Sequence, residues 1–406
     1  MGEVLFLSHR IPFPPDRGDK IRSHHVLKAL ACLAPVHVAT FADDPADLVH
    51  EGELAQLAAS HCLVERRKPV PVAALEALAC GEPVSLRAFR DARISSYVTR
   101  VISERPISAV YVFSGQMAQY VPAAFQGRVV ADLVDVDSAK FQAYAAAGKG
   151  PRAWMEAREA RLLAQVEQAI VERAETTLLV SEEEAGLLRG RLRQSALRAK
   201  VLAMGNGIDT AAFDPVTTHA DPAMSSYPGP RIVFTGQMDY PPNIAAVMRT
   251  ASEIMPRLRR HLPDASFHVV GRNPSEALRK LDGRDGVRIW GRVPDVRPYL
   301  AAADLALVPL DIARGVQNKV LEAMAMALPT VLTSGAATGI PAQDGRDFLI
   351  RDSDEALAEA VLELIAAPQR LRSMGEAARN WVTAHASWPA ALADLPRYCG
   401  IAPDGR

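Results

Sequence analysis

The chain has 406 residues, of which 49% are hydrophobic and 23% charged, and its formal net charge is −1. That length favours two domains over a single core, and the near-zero charge argues against a nucleic-acid partner. Cys32, Cys62, Cys80 and Cys399 are scattered, so they spell no CxxC zinc motif and fit a reducing compartment. No apolar run approaches the ~18 residues of a membrane span, and we expect no secretory signal.

The chain opens with a buried strand and a long basic loop. Residues 4–8 are apolar and predict the strand, and a helix is predicted from Asp19 to about Leu33. The loop between them is rich in proline and lacks the G-x-G-x-x-G of a dinucleotide-binding domain. A solvated surface loop is one interpretation. The other is a functional loop, because long loops at the top of a parallel sheet are usually functional.

Strand and helix patterns alternate through the rest of the first half. Strands are predicted at 36–41, 107–113, 128–133 and 176–180, and helices at 94–104 and 151–174. Asp135 and Asp137 follow the third of these strands, where acidic residues are helix caps about as often as functional groups. Residues 189–200 are basic, which indicates either a solvated face or contact with an anionic membrane surface.

A junction precedes the second half. Residues 204–215 read M-G-N-G-I-D-T-A-A-F-D-P, and the Asn-Gly pair suits a turn with positive φ. Residues 214–229 are rich in proline, serine and threonine and predict a linker. Beyond it, strands are predicted at 231–235, 265–271 and 287–290, and helices from about 243, at 354–366 and at 368–385.

The most informative stretch is 304–334. It predicts a strand at 305–310, a loop, a helix at 316–326 and a strand at 329–333, which together form a βαβ unit. Open parallel sheets bind ligands at strand carboxyl ends, where helix N-termini present positive partial charge. That place holds the side chains Arg314, Asn318, Lys319 and Glu322. Cations suit phosphate, and a carboxylate suits the vicinal hydroxyls of a ribose.

The phrase E-A-M-A at 322–325, with P-T-V at 329–331 and Gly315 before it, resembles the donor-site signature of the family-4 retaining glycosyltransferases. The phrase at 204–215 resembles the domain junction of the same family. The resemblance implies the GT-B fold, an α/β architecture with two Rossmann-like parallel-sheet domains facing a cleft. It also implies the following division: 1–203 acceptor-side domain, 204–229 junction and linker, 230–375 nucleotide-sugar donor domain, and 376–406 terminal helix returning toward the first domain, with a tail.

The sequence departs from the family pattern at several positions. Arg314 stands in place of the first signature Glu, and Leu328 replaces the usual Gly. Gln237 and Asn243 occupy positions where many relatives carry an Arg and a Lys that bind the donor diphosphate. A loop of the form R-G-x-x-N-K is typical of one subset of the family. Together with the N-terminal loop, it resembles the sugar transferases associated with bacterial exopolysaccharide and PEP-CTERM systems.

The resemblance implies roles for individual residues. The implied donor-binding residues are Gly236, Gln237, Asn243, Gly271, Gly315, Asn318 and Glu322, with Glu322 on the ribose. Charge balance predicts that Arg314 and Lys319 replace the missing diphosphate-binding pair and stabilise the leaving phosphate during catalysis. Asp135 and Asp137 are candidates for the catalytic polar residue of the first domain. The implied acceptor-side residues are Arg10, Arg17, Gly18, Asp19, Lys20 and Arg22.

The predicted activity is transfer of a hexosyl group from a nucleotide-diphosphate sugar to a glycan or lipid-linked acceptor, with retention, in exopolysaccharide biosynthesis. No metal and no cofactor are predicted, because Asp135-Val136-Asp137 lies outside the predicted donor domain. The expected location is the cytoplasm, with peripheral contact at the inner membrane face. Two alternatives remain open, a nucleotide-sugar epimerase on the same fold and a non-catalytic nucleotide-sugar binding protein.

Overall fold

The computed structural model describes residues 2–311 and 315–401. The predicted catalytic residue Arg314 therefore lies outside the described residues. The chain forms two compact units. The first contains the chain up to Asn206 together with the chain from Ala391 onward, and the second is Gly207–Ala390. Each unit has its own sheet and its own hydrophobic core.

The first unit is built on a parallel sheet. Its strands are β1 (Glu3–Ser8), β2 (Val36–Ala42), β3 (Ser60–Glu65), β4 (Ile107–Phe113), β5 (Arg128–Val134), β6 (Thr176–Leu179) and β7 (Val201–Ala203). Within the described residues they lie in the order β3-β2-β1-β4-β5-β6-β7. The order reverses between β1 and β4, and open parallel sheets bind ligands beyond the strand carboxyl ends at such a point.

The second unit repeats this plan. Its strands are β8 (Arg231–Thr235), β9 (Ser266–Val270), β10 (Val287–Gly291), β11 (Leu305–Val308), β12 (Thr330–Leu332) and β13 (Leu349–Ile350). In the part of the chain that the structure describes, their order is β10-β9-β8-β11-β12-β13, all parallel. The reversal falls between β8 and β11.

Helices connect the strands. Those of the first unit are α1 (Gly18–Leu33), α2 (Glu51–Leu57), α3 (Val70–Cys80), α4 (Val84–Ala88), α5 (Ala92–Glu104), α6 (Asp137–Ala147), α7 (Gly150–Arg173) and α8 (Glu182–Arg191). Those of the second are α9 (Pro222–Ser225), α10 (Pro241–Arg249), α11 (Met255–Arg259), α12 (Glu276–Arg279), α13 (Arg297–Ala302), α14 (Asn318–Ala325), α15 (Asp354–Ala366) and α16 (Pro368–His385). The described chain ends with α17 (Trp388–Ala391) and α18 (Leu395–Cys399).

The predicted parallel α/β architecture is confirmed. Every residue of β1 and β2 is buried, as expected for strands covered on both faces, which read as continuous apolar runs. The bounds of β4, β8, α15 and α16 are those predicted. Other elements differ at their ends, and the predicted helix at 316–326 begins at Asn318 and ends at Ala325.

The glycine of the junction motif has a different role from the one predicted. Neither Asn206 nor Gly207 has a positive φ. A Cβ on Gly207 would lie 2.4 Å from the backbone nitrogen of Trp388, so the glycine is needed for close backbone approach. Ile208 pairs with Ser387 in an isolated parallel bridge at the same place.

Up to residue 401, the C-terminal segment contains the short helices α17 and α18. Helix α16 belongs to the second unit, and the chain from Ala391 belongs to the first. Leu395, Tyr398 and Cys399 of α18 are buried there, and α18 packs against β4 and β5. Among the described residues, no helix combines the length and apolar character needed to cross a bilayer.

Two predicted acceptor-side cations are internal. Arg22 is 1% exposed, and its guanidinium donates to Asp132 through Nε at 2.9 Å and Nη2 at 3.1 Å. Lys20 is 2% exposed and donates to Asp47 at 2.6 Å and to the Phe13 carbonyl at 3.1 Å. The first turns of α1 direct these side chains into the unit, where their charges are paired, and their contact with an acceptor stays a prediction.

The Arg22–Asp132 pair gives a test of the first unit. Replacing Arg22 with Ala leaves the Asp132 carboxylate buried without its cation, which costs about 3–5 kcal/mol of unfolding free energy. Urea unfolding of Arg22→Ala should therefore show a lower midpoint for the first unit. Arg17→Ala, at a half-exposed position of the same segment, serves as the control and should change the unfolding free energy by no more than about 0.5 kcal/mol. An unchanged midpoint for Arg22→Ala would contradict this.

Candidate functional site

A cavity of about 480 Å³ lies in the second unit, at the carboxyl ends of β8 and β9 and beside the start of α14. Seven of the predicted donor-side residues line it: Gly236, Gln237, Asn243, Gly271, Asn318, Lys319 and Glu322. Gly315 is described but does not line the cavity. The structure therefore brings together residues that are up to 86 positions apart in the sequence, from Gly236 to Glu322.

Glycines allow two strand ends to meet at the floor of this cavity. A Cβ on Gly271 would lie 1.6 Å from the Gly236 carbonyl oxygen. A Cβ on Gly236 would lie 2.9 Å from Asn243 Nδ2 and 3.0 Å from Lys319 Nζ. The Gly236 amide donates to the Val270 carbonyl at 3.1 Å. No side chain fits at either glycine without displacing these groups.

Helix α14 directs Lys319 and Glu322 into the cavity. Val320, Leu321 and Met324 are buried in the unit, so the opposite face of the helix carries positions 319 and 322. These two residues are three positions apart and therefore share that face.

The Lys319 ammonium is held by one polar and one aromatic neighbour. Its Nζ donates to Asn243 Oδ1 at 2.5 Å and lies 4.3 Å from the centroid of the Phe234 ring. Burial lowers the pKa of Lys319 to about 8, and the Glu322 carboxylate opposes that shift. The ammonium is thus partly desolvated, which strengthens its interaction with an anion.

The Glu322 carboxylate is half-buried in the same cavity. Burial raises its pKa, and the Lys319 ammonium acts in the opposite direction. Within residues 2–311 and 315–401, no group donates a hydrogen bond to it. Both oxygens remain able to accept from the hydroxyls of a ligand.

The sequence reasoning missed two cations of this cavity, Arg272 and Arg292. Each follows a glycine at the end of a strand, in the pairs Gly271-Arg272 and Gly291-Arg292, and this repeated Gly-Arg pattern is the signal that could have found them. Arg272 donates to Gln237 Oε1 at 3.1 Å. The described lining therefore combines three cations with the single carboxylate of Glu322, a balance that suits a ligand with two or more negative charges.

In the first unit, the predicted Asp135 and Asp137 follow a strained strand end. Val134, the last residue of β5, has φ +69°, and Ser114, directly after β4, has φ +76°. A β-branched residue in that region is an outlier, and such strain clusters at functional sites. Asp135 is exposed, whereas Asp137 is half-buried, and burial raises the Asp137 pKa.

His9 belongs to the same edge of the sheet and was also missed. It directly follows β1, its ring stacks on Phe113 at 5.9 Å, and its charge lowers the Asp137 pKa against the effect of burial. His9 Nδ1 is buried and makes no hydrogen bond with the described residues. A polar residue directly after the first buried strand is the signal that could have found it.

The remaining acceptor-side residues form a surface network. Arg10 donates to Asp43 at 2.5 Å and to Asp19 at 2.6 Å. Arg17 is half-exposed at 3.7 Å from Asp19, and Gly18 is the first residue of α1. Arg10 and Asp19 thus bind each other, which leaves Arg17 as the most accessible cation of the predicted set. No group of three or more His, Cys, Asp or Glu side chains within the described residues is placed to hold a metal ion.

Glu167 is a buried carboxylate next to Asp137. It is 5% exposed on α7, and it accepts from the Ser138 backbone amide at 2.8 Å and the Ser138 hydroxyl at 2.5 Å. Burial raises its pKa to about 7, although the two Ser138 hydrogen bonds act against this. The glutamate ties α7 to the first turn of α6.

Part of the second unit is similar in sequence to known proteins. Residues 229–367 match the model of the family described as "Glycosyl transferases group 1". The GDP-mannose-dependent monoacylated alpha-(1-6)-phosphatidylinositol monomannoside mannosyltransferase of Corynebacterium glutamicum is 32% identical over 207 residues, 45% of this chain and 51% of that protein. The chain thus spans about half the length of this curated relative.

Solved structures match over nearly the whole chain. Anabaena HepE in complex with UDP and glucose has a TM-score of 0.59 at 13% identity, with 98% of this chain and 100% of that chain covered. Sucrose-phosphate synthase from Thermosynechococcus elongatus has a TM-score of 0.58 at 16% identity, with 98% of both chains covered. The fold is GT-B. The GT-B class predicted from the sequence is thereby confirmed, and at these identities the likeness concerns the fold alone.

The free carboxylate of Glu322 leads to a binding prediction. Glu322→Gln keeps the size of the side chain but replaces a charged acceptor, so binding of GDP or UDP should weaken by ~1.5–3 kcal/mol. Isothermal titration calorimetry measures the change. Glu359→Gln, at an exposed position of α15, is the control and should bind as the unaltered protein does. Equal affinities in a folded Glu322→Gln variant would rule out contact with the nucleotide.

Glu167 leads to a prediction about pH. Its folded-state pKa of about 7 lies above the ordinary 4.5, so the folded protein binds this proton more tightly than the unfolded chain. Its contribution to stability is therefore lost as the pH rises from about 4.5 to 7. The unfolding free energy of Glu167→Gln minus that of the unaltered protein should therefore be more positive at pH 8 than at pH 5 by roughly 2–3 kcal/mol. Urea unfolding at both pH values measures this difference.

The control for that experiment is Glu172→Gln, at an exposed position of the same helix. It should show the same stability difference from the unaltered protein at both pH values. A Glu167→Gln variant that behaves like this control would show that Glu167 does not titrate in this range.

Proposed function

We propose that the protein is a glycosyltransferase that binds a nucleotide-diphosphate sugar in the cavity of the second unit and transfers its hexosyl group to a glycan or lipid-linked acceptor. The observation that carries the proposal is the joint placement of Lys319, Arg272 and Arg292 with the unpaired Glu322 around a glycine floor. The cations suit a diphosphate, and the carboxylate suits the ribose hydroxyls. The family match over residues 229–367 covers this cavity.

In the proposed reaction, the bond between the anomeric carbon and the diphosphate oxygen breaks. A bond from that carbon to an acceptor oxygen forms, the acceptor proton is released, and the nucleoside diphosphate leaves. Negative charge grows on the leaving oxygen, and cations already in place stabilise it without reorganisation. We propose that Lys319, which lines the cavity, stabilises this charge and that Arg314 shares the role.

The first unit is proposed to supply the polar groups on the reacting side. Asp137 follows the strained end of β5, and His9, which influences the Asp137 pKa, follows β1. Among the described acceptor-side residues, Arg17 keeps the most accessible charge. The relative from Corynebacterium glutamicum is named for a phosphatidylinositol mannoside acceptor, which supports a lipid-linked acceptor here. Retention of configuration, metal independence, a role in exopolysaccharide synthesis and a cytoplasmic location at the inner membrane face stay predictions.

Turnover tests the proposal. The purified protein is incubated with labelled GDP-mannose, UDP-glucose and related donors, with and without membrane lipid extract and with and without EDTA. Release of nucleotide and transfer of label that depend on the extract are expected. Isomerisation of the donor without acceptor would instead indicate an epimerase, and binding without turnover a binding protein. Activity that survives EDTA is expected because the cavity already carries cations.

Lys319→Ala provides the matching substitution. Since Lys319 is proposed to stabilise charge in the transition state, kcat should fall by roughly 100-fold, with a smaller change in KM. Lys280→Ala, on an exposed side chain of the second unit, is the control and should leave both constants unchanged. Full activity of Lys319→Ala would remove this residue from the mechanism.

A further inference from the structure

Asn243 lines the cavity, and both polar atoms of its side chain bind groups of the protein. It is 5% exposed and lies in the first turn of α10. Its Oδ1 accepts from Lys319 Nζ at 2.5 Å, and its Nδ2 donates to the Gln237 carbonyl at 2.8 Å. Both contacts are internal to the protein.

The direction of this amide is fixed by its partners. The Lys319 ammonium can only donate a hydrogen bond, and the Gln237 carbonyl can only accept one. The reversed amide would place Nδ2 against the ammonium and Oδ1 against the carbonyl, so both contacts would be lost. Asn243 therefore bridges the loop after β8 to the first turn of α14 in one orientation.

We propose that Asn243 is a positioning residue that holds the Lys319 ammonium over the Phe234 ring, at the point of the cavity that takes the phosphates of the donor nucleotide. This inference rests on the proposed function, because it places a nucleotide in that cavity. It goes further because it gives Asn243 the role of binding the Lys319 ammonium, whereas the family pattern predicts that position 243 binds the ligand. The Gly236 floor supports it, since a Cβ there would meet both Asn243 Nδ2 and Lys319 Nζ.

The proposal makes nucleotide binding sensitive to pH. Burial lowers the Lys319 pKa to about 8, so an appreciable fraction of the free protein lacks this proton above that pH. The other charged or titratable groups that line the cavity are Glu322 on the same helix, Arg272 and Arg292 after β9 and β10, and Tyr240 before α10. A diphosphate favours the protonated amine, so binding above pH 8 takes up a proton.

Changes at Asn243 should move the Lys319 pKa in opposite directions. Asn243→Ala removes the acceptor of the ammonium, which destabilises the charged form and lowers the pKa further. Asn243→Asp places a carboxylate beside the ammonium and raises it. A residue that merely holds the fold would not produce this pair of opposite shifts.

The first measurement needs no nucleotide. The rate at which Lys319 reacts with acetic anhydride is followed by mass spectrometry from pH 6.5 to pH 10 in the free protein. The unaltered protein should show an inflection near pH 8, Asn243→Ala a lower one and Asn243→Asp a higher one. Asn380→Ala, at an exposed position of α16, is the control and should match the unaltered protein. Inflections that coincide in all four proteins would overturn the proposal.

The second measurement is calorimetric titration with GDP and with UDP over the same pH range. Affinity in the unaltered protein should hold up to about pH 8 and then fall by about tenfold per pH unit as one required proton is lost. At pH 7, Asn243→Ala should weaken binding by about tenfold, the scale for one hydrogen bond to a charged group. Lys319→Met should bind weakly and without the inflection near pH 8.

The two measurements separate the inference from the function on which it rests. If neither nucleotide binds the unaltered protein, the proposed function fails, whereas the labelling still reports on Asn243 and Lys319. If nucleotides bind but Asn243→Ala and Asn243→Asp keep the affinity and pH profile of the unaltered protein, the inference fails and the function stands. Weaker binding with an unmoved Lys319 inflection would also overturn it, because Asn243 would then only hold the loop.

Discussion

The cavity of the second unit is organised by the burial of one ammonium group. Lys319 has a neutral amide oxygen as its hydrogen-bond acceptor and an aromatic ring beside it, so water solvates it only in part. Removing a cation from water is costly unless an anion or dipoles replace the water. This cost explains which residues surround Lys319. Gly236 leaves room for the ammonium, Asn243 supplies a dipole without taking up the charge, and Glu322 stays one helical turn away.

Cations of the first unit are used differently. Arg22 and Lys20 are buried against Asp132 and Asp47, so their charge is neutralised inside the unit. The Arg22 pair joins α1 to β5 and the Lys20 pair joins α1 to the segment after β2, and both have little charge left for a ligand. In the second unit, the described lining of the cavity contains three cations and only one carboxylate, that of Glu322. The first arrangement favours a fixed structure, and the second keeps an unbalanced charge that a bound anion can neutralise.

The sequence predicted what depends on local pattern. Apolar strands follow from hydrophobic periodicity, so the parallel sheets were accessible from the sequence, whereas the seven predicted residues that line the cavity came mainly from the family resemblance. The contact that buries Arg22 was not, because Asp132 lies 110 residues away. The Asn243–Lys319 contact spans 76 residues and was equally hidden. A basic residue looks the same in sequence whether it faces solvent or a distant carboxylate, and only the packing of elements decides between the two.

In both units, some strained or partly desolvated groups lie at the carboxyl ends of central strands. In the first unit, the left-handed backbone at Ser114 and Val134 and the unbonded His9 Nδ1 lie after β4, β5 and β1. In the second, the partly desolvated Lys319 and the unpaired Glu322 lie beside β8. Strain and desolvation of this kind cost free energy that the surrounding packing must offset. Parallel sheets place strand ends and helix starts at one edge, so a ligand bound there can satisfy several such groups at once.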